Sequence, residues 1–445
     1  VFWWAGPVLV YGVIPLLDWL VGTDTENPPE ERVASLSRER WYRWAIYLAV
    51  PVQYTSFVWG AYLAVTHDLA WYEWLGLLLT VGGVSGGAIN IAHELGHATD
   101  PVDRWLAKIA LAPVVYGHFY VEHNRGHHVR VATPEDPASA RFGETFWEFL
   151  PRCVAGSIAS AWRIEKRRLA RQGKPVWHWS NDNLQSWAIS AAIFGAMTAW
   201  LGWAALPFML LQAAYGGSLL EVVNYLEHYG LRRSQREDGS YERCRPEHSW
   251  NSNHVVTNLF LYHLQRHSDH HANPTRPYQA LRHFEEAPQL PSGYASMILL
   301  AYLPPLWFRV MDPKVVAHYK GDMRRANIQP RLRDYLTGAD AGRSYQVLAP
   351  GVAGYAAATR DLGGLEVQTD SAAILAVTGA PSSVWRNAVP VPFGESFAVR
   401  PGDRVRIGTP VIGLRSYLAV RGGLRAARLY GSASTNPTAD LGPAP

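Results

Sequence analysis

The chain has 445 residues, of which 48% are hydrophobic, and a formal charge of only +4. That length allows two or three domains, and without a dense Lys/Arg stripe the chain does not read as a nucleic-acid binder. Its two cysteines, Cys153 and Cys244, lie far apart in sequence, which excludes a disulfide framework, a CxxC site and a cysteine-held iron–sulfur centre.

Apolar runs of roughly 20 residues, the length that crosses about 30 Å of hydrocarbon, fall at 1–20, 43–66, 72–92, 184–204 and 205–227. A sixth run, 292–309, contains Pro304-Pro305 and is expected to span the bilayer or to lie on it. The segment 104–120 is read as an amphipathic or buried helix that does not cross. Trp and Tyr crowd the ends of the runs, as an interfacial belt requires. The loop 21–42 carries Arg32, Arg38 and Arg40, and 124–174 carries ten Lys/Arg, whereas 67–71 and 201–207 carry none. The positive-inside rule makes the basic loops cytoplasmic.

Four histidine clusters then fall on that cytoplasmic side. They are HELGH (His93, His97), EHNRGHH (His123, His127, His128), NYLEHYG (His228) and LQRHSDHH (His267, His270, His271). Their spacings are i,i+4, then i,i+4,i+5, then i,i+3,i+4, so each cluster shares a helical face. HELGH alone has the spacing of a zinc protease with Glu94 as its base, but a catalytic zinc wants three protein ligands. Nine histidines suit two metal ions with imidazole shells and an open position, and imidazole serves iron, copper and zinc alike. Glu94, Glu122, Asp136, Glu227 and Asp269 are candidates to receive the histidines' other N–H groups. Glu221 and Asn224 lie within a span, where a carboxylate reads as functional. His118, His248, His254 and His263 are near the clusters but outside the tight spacings; His67, His178, His283 and His318 read as surface or interface residues.

This combination, with the flanking PEHSWNSNHVVTNLFLYHLQRHSDHHANPTRPYQ, resembles the integral-membrane non-haem di-iron alkane hydroxylases. Their wider class includes xylene monooxygenases and acyl desaturases, which remain the alternative. The resemblance covers about 1–322 and implies two iron ions held by His93, His97, His123, His127, His128, His228, His267, His270 and His271. It implies O₂ as co-substrate and a medium- or long-chain linear alkane oxidised to a primary alcohol. It also implies electrons from rubredoxin, itself reduced by rubredoxin reductase, and a place in a bacterial inner membrane. Family members have six spanning helices, of which this chain would lack the first. An alkane has no polar handle, so its site must be an apolar channel between the spans. Val10 and the small residues Gly86 and Gly87 are its expected liners, close helix packing being the other use for the glycines. The basic face around Arg125, Arg130 and 163–174 could dock an acidic electron carrier.

Composition breaks late in the chain. Eighteen of the 19 Trp and all 17 His precede residue 320, and residues 343–445 hold one Trp, no His and no Lys. The expected organisation is an oxygenase body over 1–322, a linker over 323–342 and a separate segment over 343–445. PGDRVRIG (401–408) and RSYLAVRGGL (415–424) read as strands joined by turns. With LAVTGAPSSVWRN they resemble part of the biotin-dependent-carboxylase-like component of 5-oxoprolinase. The fold class is therefore an all-α integral membrane bundle with a cytoplasmic, helical, histidine-rich cap, followed by a partial β-rich segment.

Overall fold

A computed structural model describes residues 2–332, 365–368, 372–379, 382–408 and 416–420. The chain divides into two compact units, Val1–Gln329 and Pro330–Pro445. The first is helical and multi-pass. Spanning helices α1 (Phe2–Val21), α2 (Arg40–Thr66) and α3 (Trp71–His97) come first. The short α4 (Pro101–Leu111), a helical run over 119–130 and the charged α5 (Phe146–Ala170) follow. A second pair of spans, α6 (Asp182–Leu201) and α7 (Ala205–His228), leads to α8 (His267–Ala272). The unit closes with α9 (Tyr294–Ala301) and α10 (Pro304–His318).

The last pair is one apolar run bent by 120°. The bend follows from Pro304-Pro305: neither proline has an N–H to donate, and the first pushes Leu303 out of the helical region, to φ −115° and ψ 80°. Helix α4 has 11 residues, about 16 Å at 1.5 Å per residue, half of what a crossing needs. Asp100 caps its start by accepting from the Val102 N–H at 2.8 Å. In α5 the Thr145 hydroxyl accepts from the Glu148 N–H while the Glu148 carboxylate accepts from the Thr145 N–H, a reciprocal cap.

Helix α3 is the centre of the bundle: 61% of its most apolar stretch is buried, against 11% for α1. It meets α7 backbone to backbone. A methyl group on Gly216 would come within 3.0 Å of the Gly82 carbonyl oxygen, and one on Gly86 within 3.0 Å of the Gly216 carbonyl oxygen. Small residues permit this approach where lipid gives no hydrophobic drive for helices to associate. The contact sets the ends of α3 and α7, which carry HELGH and NYLEH, side by side.

In the second unit the described strands are β1 (Leu365–Gln368), β2 (Ala373–Gly379), β3 (Val384–Arg386), β4 (Val389–Val391), β5 (Ser396–Val399), β6 (Arg404–Ile407) and β7 (Ser416–Val420). They form two antiparallel sheets, ordered β1-β6-β3-β4 and β5-β2-β7. Leu375, Val377, Val384, Val399, Val405 and Ile407 make their shared core. Asn387 and Ala388 both have positive φ, the two-residue turn whose twist matches a hairpin. The strands expected at 401–408 and 415–424 are β6 and β7.

Candidate metal centre

The nine histidines of the four motifs converge into two groups. His93, His97, His123, His128 and His270 form one; His127, His228, His267 and His271 form the other, and within each group one ring nitrogen per residue lies within 4.8 Å of all the rest. In the first group Nε2 faces Nε2 at 2.8 Å (His93–His270), 3.1 Å (His97–His123), 3.0 Å (His123–His128) and 3.0 Å (His128–His270). In the second, His271 Nε2 stands 2.8 Å from His267 Nε2 and 3.2 Å from His127 Nε2. A neutral imidazole has one N–H, so rings aimed so densely at one another cannot all donate and accept. Both nitrogens of the fully buried His228 lack any partner. Converging lone pairs with orphaned nitrogens are a donor set that fits metal ions.

The elements explain the sorting. His93 and His97 are one turn apart at the end of α3. His123–His127 is a π-turn, a widened turn that recurs at functional sites. It swings His123 and His128 together, while His127 falls on the other side. Gly126 makes room for it, since a methyl there would lie 2.6 Å from a Glu122 oxygen. In α8, His270 joins the first group, and His267 and His271 join the second. Burial, and then the neighbouring histidines, push His123, His128, His267, His270 and His271 well below the ordinary range. These rings are neutral donors at pH 7.

Of the five carboxylates expected behind the histidines, three touch one. Asp136 accepts from His127 Nδ1 at 2.9 Å and from the Ser139 hydroxyl at 2.6 Å. This favours the tautomer that leaves His127 Nε2 with a free lone pair. Glu227 places one oxygen 3.1 Å from His267 Nε2 and accepts from the Tyr294 hydroxyl at 2.9 Å through the other. Glu94 lies 3.4 Å from His93 Nδ1 and accepts from the Tyr278 N–H. The other two brace the scaffold. Glu122 pairs with Arg130 at 2.6 Å, and Asp269 binds Arg276 at 2.6 Å and the Arg282 N–H at 2.8 Å.

None of His118, His248, His254 and His263 joins either group. His118 is buried with its Nε2 unpartnered, and burial lowers it to about 4. His248 Nδ1 accepts from the Arg245 N–H, and His254 pairs with Ser252. The intramembrane Glu221 accepts from the Tyr116 hydroxyl at 2.5 Å and from Asn224 at 3.3 Å. In the expected basic dock, Arg125 and Arg130 are partly exposed and ion-paired: Arg125 with Glu165 and Asp182 at 2.7 and 2.8 Å, and Arg130 with Glu122 at 2.6 Å.

An apolar cavity of about 320 Å³ runs between α1, α3 and α7 and stops at His93, His123 and His267. Val10, Gly86 and Gly87 all line it. Gly86 also meets Gly216, so it serves packing as well, whereas a methyl on Gly83 or Gly87 would enter open space. Gly83, Asn90 and Glu227 line the cavity too. Of these, Gly83 and Asn90 were within reach of sequence reading, since they sit one turn from Gly87 and His93 on the helix that carries HELGH.

Curated relatives match most of this chain's length. The chain is 50% identical over 333 residues to an alkane 1-monooxygenase of Acinetobacter baylyi, covering 75% of this chain and 82% of that protein. This chain belongs to the alkane 1-monooxygenase family. It is also 49% identical over 325 residues to the alkane 1-monooxygenase of Ectopseudomonas oleovorans, covering 73% and 81%. The xylene/toluene monooxygenase hydroxylase component of Pseudomonas putida is more distant from this member of the alkane 1-monooxygenase family, at 29% over 245 residues, covering 54% and 64%. The fatty acid desaturase family model matches residues 69–301, which include all nine histidines. A carboxyltransferase domain model, subdomains A and B, matches 357–445. HELGH is thus one arm of a five-imidazole group, not a protease pair completed by one distant residue.

Proposed function

We propose that this chain is an integral-membrane alkane 1-monooxygenase that inserts one atom of O₂ into the terminal C–H bond of a medium- or long-chain linear alkane, giving a primary alcohol. The observation that carries this reading is the apolar cavity that ends against both histidine groups. The relatives named for the same activity support it.

The two groups would hold two iron ions, one on His93, His97, His123, His128 and His270 and one on His127, His228, His267 and His271. When bound, the iron pair supplies the O₂ reduction that yields an oxidant for an unactivated C–H bond. The chain's own residues do the rest. The walls around Val10, Ile14, Gly83 and Gly87 bind the alkane by burial, about 0.8 kcal/mol per CH₂, and their apolar character keeps bulk water out. A chain that enters lengthwise meets the histidines end first, which selects the terminal methyl by shape. Asp136 orients the His127 ring, and Asn90, Asn224 and Glu227 are among the polar groups that line the cavity with the histidines.

Each turnover also consumes two electrons and two protons, with the second oxygen atom leaving as water. The electrons are read as coming from rubredoxin, reduced in turn by rubredoxin reductase. Both cysteines of this chain are buried and free, and its 343–445 tail contains none. The basic loops support a cytoplasmic active site in a bacterial inner membrane. The oxygenase is assigned to 1–322, a connection to 323–342, and no chemistry to 343–445. The test is metal content followed by turnover of a linear alkane with rubredoxin and its reductase. About two irons per chain and a 1-alkanol are expected. Faster turnover of an acyl chain to an alkene, or of a xylene to a benzylic alcohol, in parallel assays would move the chain to the desaturases or the xylene oxygenases.

A further inference from the structure

The two histidine groups differ in what separates them from water. All four members of the second group are buried, whereas His97 and His128 of the first are only partly so. A cleft of about 670 Å³ leads from the surface to His97 and His270, both members of the first group. Its walls are mixed, unlike those of the alkane cavity: Arg38, Glu39, Thr99, Asp100 and Gln279 line it together with apolar residues such as Ile46 and Leu95. The Asp100 side chain is 41% exposed and accepts from Arg43 at 2.6 Å. The alkane cavity also touches histidines, but its lining is apolar, and a hydrated dication would lose its water there without replacement. The void beside His123 and His127 is about 10 Å³, room for a single water at most.

We propose that this cleft is the aqueous port of the metal centre. Hydrated ferrous ion reaches and leaves the five-histidine group through it, while the four-histidine group exchanges only through the first or by opening of the fold. Arginines and carboxylates balance one another along the cleft, so it admits a hydrated ion without holding it, and the imidazoles at the floor take the ion over as its water is shed. The consequence is an order: the five-histidine site loses its iron first. This rests on the two-iron reading above, but it concerns access and does not depend on alkane turnover.

The test uses the full chain in detergent, loaded with iron and kept anaerobic, with ferrozine added to trap released Fe(II). Release is followed by absorbance, and remaining iron by mass spectrometry. Two phases of equal amplitude are expected. His228→Ala should retain mainly the fast phase, and His97→Ala mainly the slow one. Thr99→Trp, which plugs the cleft, should slow the fast phase at least about tenfold, the effect of roughly 1.4 kcal/mol on the barrier. Gln279→Trp, at another lining position, plugs it should the first variant misfold. Release of both irons in one phase, or a fast phase untouched by either folded plug, overturns the port. Fewer than two irons per loaded chain overturns the two-iron reading and the port with it.

Discussion

At the scale of single residues, the site includes the charge that stands behind a histidine as well as the ring itself. Asp136 is fully enclosed, accepts from both His127 and Ser139, and holds the His127 tautomer. Asp136→Asn keeps the shape and loses the charge. A fall of about 10–100-fold in iron affinity or turnover is expected, the usual cost of losing such a partner, and iron content against added Fe(II) measures it. Gly87 acts by absence, because a methyl there meets only open cavity. Gly87→Leu should shorten the channel and shift product from long alkanes to short ones. Competition between octane and hexadecane, read as the ratio of 1-alkanols, checks this; an unchanged ratio would remove Gly87 from the wall.

Among elements, the α3–α7 contact is the one the site depends on. A methyl on Gly216 already reaches within 3.0 Å of the Gly82 carbonyl, so Gly216→Val must push the helices apart. A loss of about 1–3 kcal/mol is expected, visible as a lower unfolding midpoint in detergent together with lower iron content. These elements were largely legible in the sequence. The five spans follow from apolar length, and the break before α10 from Pro304-Pro305. The π-turn was not legible: the spacing of His123, His127 and His128 suits an ordinary helix as well, and only Gly126 hints at the extra room. Nor could sequence show that Arg125 and Arg130 are ion-paired, since their partners Asp182 and Glu122 are set by tertiary contacts. The same holds for Asp269, whose place among the histidines suggested a ligand partner but whose carboxylate faces Arg276.

Over the whole molecule, the buried imidazoles tie stability to pH. His123, His128, His267, His270 and His271 are held well below their ordinary range, chiefly by burial. In the unfolded chain each binds a proton near pH 6.5. The unfolded state therefore takes up more protons below that value, and stability falls as pH drops through it, by up to about 1.4 kcal/mol per pH unit for each ring. The metal-free protein should melt lower at pH 5.5 than at pH 8, and iron should be released over the same interval. Division into Val1–Gln329 and Pro330–Pro445 leaves all nine histidines in the first unit. A chain ending at residue 332 is accordingly expected to keep iron and alkane turnover, assayed side by side with the full chain.

Two neighbouring pairs, His127 with His128 and His270 with His271, are divided between the two groups. A single peptide unit on each of two segments therefore joins one site to the other. Displacing a ring of either pair moves a backbone that also carries a ring of the other site, so the two sites are linked in geometry through these pairs, while a histidine outside them, such as His97 or His228, belongs to one site alone. A change at either pair is therefore felt at both sites at once.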